Sequence, residues 1–417
     1  MSNQLTTLAH SKVEFIDGDR GKNYPNKSQL LTSGYCVFLN TSNVRKGWFD
    51  FSKVEFIDEV KDKELRKGKV KNNDLILTTR GTVGNVALIT EDIPFENIRI
   101  NSGMVIVRTT TSTLNPYFLL LFFRSNLFEK QCLSHGSGSA QPQLPISALK
   151  YISLPDLDIK YQEKIVSTIR ALDKKIEINN QINAELEAIV KTLYDYWFVQ
   201  FDFPNADGKP YKSTGGKVVY NEVLKREIPE GWKDSTLWNI AIYYNGLAMQ
   251  KYRATGDEYL PVIKIREMNN GISSDTEKAK VDIPKAAVIE DGDLLFSWSA
   301  TLDVKIWSEG KGALNQHIFK VTSDTYPQSF YYFELMNYLS HFKMMADLRK
   351  TTMGHITLEH LKQANIVLPP IELIEKLDEK LKPIFEHILV LKKESNSLVK
   401  LRDWLLPMLM NGQVTVT

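Results

Sequence analysis

Along residues 154–201 the apolar side chains fall on two interleaved series of period seven. Ile165, Leu172, Asn179, Leu186 and Leu193 form one, and Ile169, Ile176, Asn183, Val190 and Trp197 form the other. A seam kept for about four heptads predicts a long amphipathic helix made to pair with another helix. Pro155 ends an extended run, and Asp156 or Asp158 is placed to cap the helix start. Roughly forty residues at about 1.5 Å each make a rod of about 60 Å. A second seam ends the chain. Leu377, Ile384, Leu391, Leu398 and Leu405 hold one series, Ile374, Leu381 and Ile388 begin the other, and Trp404 lies near its end. Pro383 inside this stripe predicts a kink or a delayed helix start, because proline removes a helical hydrogen bond.

Ahead of each seam the period shortens to β-prone runs between Gly, Asn and Asp clusters. In the first half these runs are 35–39, 75–79, 86–89 and 104–107, followed by a helix over 116–131 with Asn115 as its cap. In the second half they are 259–265, 294–297, 304–307 and 318–321, followed by a helix over 328–348. Asp74-Leu-Ile-Leu77 is matched by Asp293-Leu-Leu-Phe296, and Asn101 before a strand by Asn315 before a strand. The order of globular unit, polar loop, Leu-Lys, Leu-Pro and rod therefore occurs twice, which predicts an internal duplication. The expected fold is mixed α/β (α+β): two duplicated globular domains, 1–154 and 228–369, and two long helices, 155–201 and 370–410. Residues 202–227, with Asp207-Gly208, Pro210 and Gly215-Gly216, read as an exposed linker.

Composition changes this picture little. The 417 residues allow two or three domains, and 43% apolar with 24% charged is ordinary for a globular protein. The net charge is +2, but residues 1–155 carry 19 Lys and Arg against 14 Asp and Glu, an asymmetry that permits a polyanionic partner. Cys36 and Cys132 have neither metal-ligand spacing nor a disulfide framework. The first residues lack the basic and apolar regions of a signal peptide, and the apolar run 117–123 is too short to cross a bilayer, so a cytoplasmic protein without a membrane partner is expected.

Several enzyme signatures come close and fail. Asn115-Pro-Tyr117 has one proline too few for the amino-methyltransferase motif and sits at a helix start. Gly18-Asp-Arg-Gly-Lys22 is followed by Asn23, where a phosphate loop needs Ser or Thr. Asp156, Asp158 and Lys160 share one helix turn, where capping explains them better than a nuclease site. His355 and His360 lack zinc-ligand spacing. No catalytic or metal-binding residue is expected.

What remains is a set of polar loops. The first half offers Asp19, Arg20, Lys22, Asn23 and Tyr24, then Thr79, Arg80, Thr82 and Asn85, then Ser137, Ser139 and Gln141. The second offers Lys251, Tyr252 and Arg253, then Ser297, Trp298 and Ser299, then Lys311 and Gln316, then Thr351, Thr352 and His355. Arg pairs with guanine and Asn or Gln with adenine only when a loop carries them into a groove, and glycine lets backbone N–H groups approach phosphates. Taken singly, each loop reads first as a solvated turn; their recurrence in duplicated units brings DNA contact level with that reading.

The ordered set resembles the specificity subunit of type I restriction-modification systems. The resemblance rests on Leu149-Lys150 with Ile152-Ser-Leu-Pro155 before the first rod, and Leu361-Lys362 with Ile366-Val-Leu-Pro-Pro370 before the second. Tyr194-Asp-Tyr-Trp-Phe-Val-Gln-Phe-Asp202, Ile228-Pro-Glu-Gly-Trp232 and Leu401-Arg-Asp-Trp-Leu-Leu-Pro407 with Asn411-Gly412 add to it. Two departures stand: the first unit has no Pro-Glu-Gly-Trp opening, and Gln162-Glu163 of the first rod is replaced by Ile374-Glu375 in the second. The resemblance implies that each domain is a target recognition domain for half of a split site in double-stranded DNA. It implies that the helices form an antiparallel coiled coil docking two methyltransferase subunits, which would carry S-adenosylmethionine. A restriction and translocase subunit using ATP and Mg would join them, and this chain would bind no cofactor. Two other readings are a nuclease acting alone and a coiled-coil scaffold that binds only proteins.

Overall fold

A computed structural model describes residues 5–135, 143–348 and 355–415. They form two compact units, one of residues up to Lys175 together with those from Leu398 onward, the other of Ile176–Ser397.

In the first unit the strands are β1 (Val13–Asp17), β2 (Cys36–Leu39), β3 (Phe56–Ile57), β4 (Leu75–Thr78), β5 (Val86–Leu88), β6 (Ile98–Ile100) and β7 (Met104–Thr109). β1-β7-β4-β5 make an antiparallel sheet; β3-β2-β6 make a smaller one in which β2 and β6 run parallel. Leu75, Leu77, Val105 and Val107 share a core with the helix Pro116–Arg124, whose residues Phe118 to Phe123 are all buried. A helix apolar all round has no solvent face to keep. Asn115 caps it, its Oδ1 accepting from Tyr117 N at 2.9 Å and Phe118 N at 3.3 Å. The expected single helix over 116–131 is two, Pro116–Arg124 and Asn126–His135. Ser125 is extended between them, its hydroxyl donating back to Phe122 O at 2.6 Å, so local side-chain bonding ends the first helix.

In the second unit the strands are β8 (Ile242–Asn245), β9 (Leu260–Ile263), β10 (Lys278–Ala279), β11 (Val288–Ile289), β12 (Leu294–Ser297), β13 (Asp303–Ile306), β14 (Gly312–Leu314) and β15 (Ile318–Thr322). The topology repeats: β8-β15-β12-β13 is antiparallel, and β10-β9-β14-β11 contains the parallel pair β9 and β14. The helix Gln328–Leu348 takes the expected place. Each domain is also closed by a pair of short antiparallel strands, Leu5–Thr7 with Ser153–Pro155 and Lys233–Thr236 with Asn365–Leu368. Leu154-Pro155 and Leu368 are thus the last residues of closing strands. The span 202–227 is mostly exposed, with Asp202 and Phe203 buried, and it is folded. Asp202 accepts from Ser213 N at 2.7 Å and Ser213 Oγ at 2.6 Å, Phe203 stacks on Tyr211, and Val218–Asn221 pairs with Arg226–Pro229.

The first long helix, Ile159–Tyr194, starts at Asp158, whose Oδ1 accepts from Tyr161 N at 3.0 Å, and ends in a π turn, Asp195–Val199. Asp158, not Asp156, is the cap. The second, Ile371–Met410, runs unbroken through Pro383. That proline lies on the exposed face, where water can take up the hydrogen bond its ring removes. The helices pair antiparallel within each unit. In the first, Arg402 contacts Asp173 at 2.9 Å; in the second, Asn179 donates to Glu394 at 2.7 Å and Lys392 to Glu187 at 2.8 Å.

Every residue of the predicted first seam is buried or half-buried. Its ends also enter the domain cores: Ile165 and Ile169 pack with Leu406 and Leu409, and Val190 and Trp197 belong to a core with Leu377 and Leu381. In the second unit Trp232 receives Phe198, Phe201 and Phe203 at ring distances of 5.9, 5.4 and 5.1 Å. The Tyr-Asp-Tyr-Trp-Phe and Pro-Glu-Gly-Trp motifs therefore meet in one aromatic cluster. Leu391 is buried and Ile384, Leu398 and Leu405 are half-buried, as a seam requires, but Trp404 is 56% exposed and faces away from it.

Candidate nucleic-acid interface

The hairpin β4–β5 and the hairpin β12–β13 share a set of hydrogen bonds. In the first, the Thr78 hydroxyl donates to Thr82 O and accepts from Asn85 N at 3.0 Å. In the second, the Ser297 hydroxyl donates to Thr301 O at 2.6 Å and accepts from Asp303 N at 2.8 Å. Both turns pass through a left-handed residue, Gly81 at φ 72° and Ala300 at φ 55°. Thr79 N donates to Gly103 O as Trp298 N does to His317 O. Leu144 N donates to Thr79 O at 3.1 Å as Ile356 N does to Trp298 O at 2.8 Å, which brings Gln143 beside Arg80 and His355 beside Ser299. Gly18 and Gly246 each lie so close to a following strand that a Cβ would fall 2.1 Å from Asn101 O and 2.2 Å from Asn315 O. The register then equates Asp17 with Asn245 and Val105 with Phe319.

On this shared frame the side chains differ. In the first unit Asp17, Arg20, Thr79, Arg80, Val105 and Gln143 line a cleft of about 220 Å³. Arg20 donates to Asp17 Oδ1 at 3.1 Å and to Ser102 O at 3.2 Å, and Arg80 is exposed. In the second unit the Trp298 indole donates through Nε1 to Asn245 Oδ1 at 3.0 Å. Its ring lies against His317, Phe319 and His355 at 5.6, 5.8 and 5.7 Å. Gln316 adjoins His317 at 3.3 Å.

The remaining candidates divide. Asp19 is buried: desolvation raises its pKa, but the Arg66 and Arg20 backbone N–H groups outweigh this and hold it below the usual value. Asn23 donates to Glu64 O, Tyr24 packs edge-on against Phe38, and Asn85 donates to Val44 O, so these three hold loops in place. Lys22, Thr82, Lys251, Arg253 and Lys311 are exposed, with Lys311 paired to Glu290 at 3.0 Å; Tyr252 lies under Lys280. Ser297 and Thr79 are buried and serve the frame, and Ser299 is buried beside His355. Ser137, Ser139, Gln141, Thr351 and Thr352 lie outside the described residues. Sequence reasoning missed Asp17, Asn245 and His317 as site residues. The duplication was the signal that could have found them, since each takes a position that only alignment of the two halves reveals. Among the described residues no three His, Cys, Asp or Glu are placed to hold a metal, and no helix is long and apolar enough to cross a membrane.

Residues 14–188 and 229–400 each match the family described as the Type I restriction modification DNA specificity domain. The chain is 26% identical over 357 residues to the type I restriction enzyme MjaIX specificity subunit of Methanocaldococcus jannaschii, covering 82% of this chain and 78% of that one. It is 23% identical over 461 residues to the HindI specificity subunit of Haemophilus influenzae, covering 96% and 99%. In fold it is similar to the crystal structure of a type I restriction-modification S subunit from M. genitalium, with a TM-score of 0.53 at 14% identity over 99% of this chain and 96% of that one.

Proposed function

The chain belongs to the family of type I restriction modification DNA specificity domains, carrying two copies in one specificity subunit, and on that premise we propose that each globular domain reads one half of a bipartite, asymmetric site in double-stranded DNA. The observation that carries this reading is the pair of correspondingly hydrogen-bonded hairpin frames with unlike side chains. Arg20, Arg80 and Gln143 stand in one, Asn245, Trp298 and His355 in the other. Donors and acceptors of different kinds on the same backbone select different bases.

The long helices act as the spacer. Their 36 and 40 residues correspond to lengths of about 54 and 60 Å. At about 3.4 Å per base pair, that matches somewhat under two turns of DNA. Their outward faces keep apolar residues: Ile178, Ile182, Ile189 and Tyr196 on the first, Val390, Leu401 and Trp404 on the second. These stripes offer docking sites for helices of two methyltransferase subunits. Those partners bring S-adenosylmethionine and modify an adenine, and restriction subunits using ATP and Mg join through them. The chain itself performs no catalysis in this reading. The test is retention of DNA by the assembled complex, which must prefer its own site to unrelated duplex and depend on Arg80. Cleavage of DNA by the isolated chain with a divalent metal, or equal retention of all duplexes, would contradict it.

A further inference from the structure

The two frames differ at the position that follows the hairpin's first strand. Thr79 and Trp298 are backbone-equivalent, and what is an open cleft beside Thr79 is filled by a ring beside Trp298. Three neighbours of the indole, Asn245, Phe319 and His355, are the counterparts of three cleft residues, Asp17, Val105 and Gln143. The second unit thus shows what the space accepts: a flat bicyclic ring with an N–H directed at position 245, the counterpart of Asp17. An indole and a purine share that outline.

We propose that the first domain's cleft receives a guanine base unstacked from the DNA. It rests on the reading of this domain as a DNA reader, and it names the base and the mode. Asp17 stands where Asn245 accepts the indole N–H, and a carboxylate only accepts. Guanine presents two adjacent donors, N1–H and the N2 amine, on one edge; adenine and the pyrimidines do not. Arg80, with the guanidinium nitrogens of Arg20 that Asp17 and Ser102 do not hold, supplies donors at the same cleft for O6 and N7, the pairing most used for guanine. The cleft's 220 Å³ is room for one base, and buried Val105 underlies its floor. Extruding a base carries an unstacking penalty, which contacts on its exposed edge offset.

The full chain, assembled with its methyltransferase partners, is titrated with duplexes bearing its mapped site, with a fluorescent guanine analogue at each guanine in turn. Emission should rise on binding at one guanine of the half-site read by the first domain. Thr79→Trp, which rebuilds the plug of the second unit, should abolish that signal and weaken binding at least about tenfold. Arg80→Ala, at an exposed position outside the core, should do the same without risk to folding. A first half-site without guanine, no guanine that brightens, or both variants binding as the parent does would overturn the proposal. Free guanosine monophosphate should not compete; if it displaces the duplex, the cleft is a nucleotide site and the DNA source is wrong. Failure of the parent complex to prefer its site would instead remove the DNA-reading premise itself.

Discussion

The carboxyl of Glu334 is displaced well upward by burial. It accepts from the Tyr194 hydroxyl at 2.6 Å, where the first long helix enters the second unit's core. Burial pushes its pKa from 4.5 up to about 7, and the Tyr194 hydrogen bond and the charge of Arg226 only partly oppose this. The folded state therefore holds this proton more tightly than the unfolded chain does. Its stabilising contribution is whole below about pH 4.5, is lost progressively as pH rises to about 7, and changes no further above that. Urea unfolding at pH 5.5 and pH 7.5 should show the second unit weaker at the higher pH, and Glu334→Gln should flatten that difference. An unchanged difference in the variant would assign it to other groups.

At the scale of the element, the seam's two asparagines are buried, and each Oδ1 has no protein partner, as does the Ser395 hydroxyl. Asn179 spends its amide on Glu394 of the opposite helix, so it aligns the pair within the second unit. Such residues fix register at the expense of stability. Asn183→Leu should then raise the denaturation midpoint, by about 1–3 kcal/mol in stability for the orphaned oxygen removed; a lower midpoint would mean that Asn183 makes a bond that counts. The same seams show what was legible in the sequence. Period seven found both helices, because each heptad position repeats its environment. Pro383, expected to kink the helix or delay its start, leaves it continuous from Ile371, because period alone does not say which face meets water. Short strands such as Ile98–Ile100 escaped notice, their three residues being fixed by pairing with β2 across the chain and not by local pattern. The site was legible as loops but not as a cleft. Asp17, Arg80 and Gln143 are far apart in sequence, and only the β1–β7 register and the Arg80 to Gln143 bridge bring them together.

For the molecule as a whole, the account makes the helices a ruler and the domains independent readers. Four residues inserted into each long helix, near residues 180 and 394, should lengthen each rod by about 6 Å and change the tolerated spacer by about two base pairs. Both half-sites should be kept. Selection of bound duplexes from a library with randomised spacers reads this directly, and an altered half-site in the selected pool would refute the ruler.

Independence of the two readers is the central claim, and mapping methylated adenines in cells that carry the assembled system tests it most directly. Arg80→Ala should relax or change only the half-site read by the first domain, and Trp298→Ala only the other, each leaving its companion and the spacer as they were. Substitution of either residue that altered both halves together, or that left both untouched, would contradict the account.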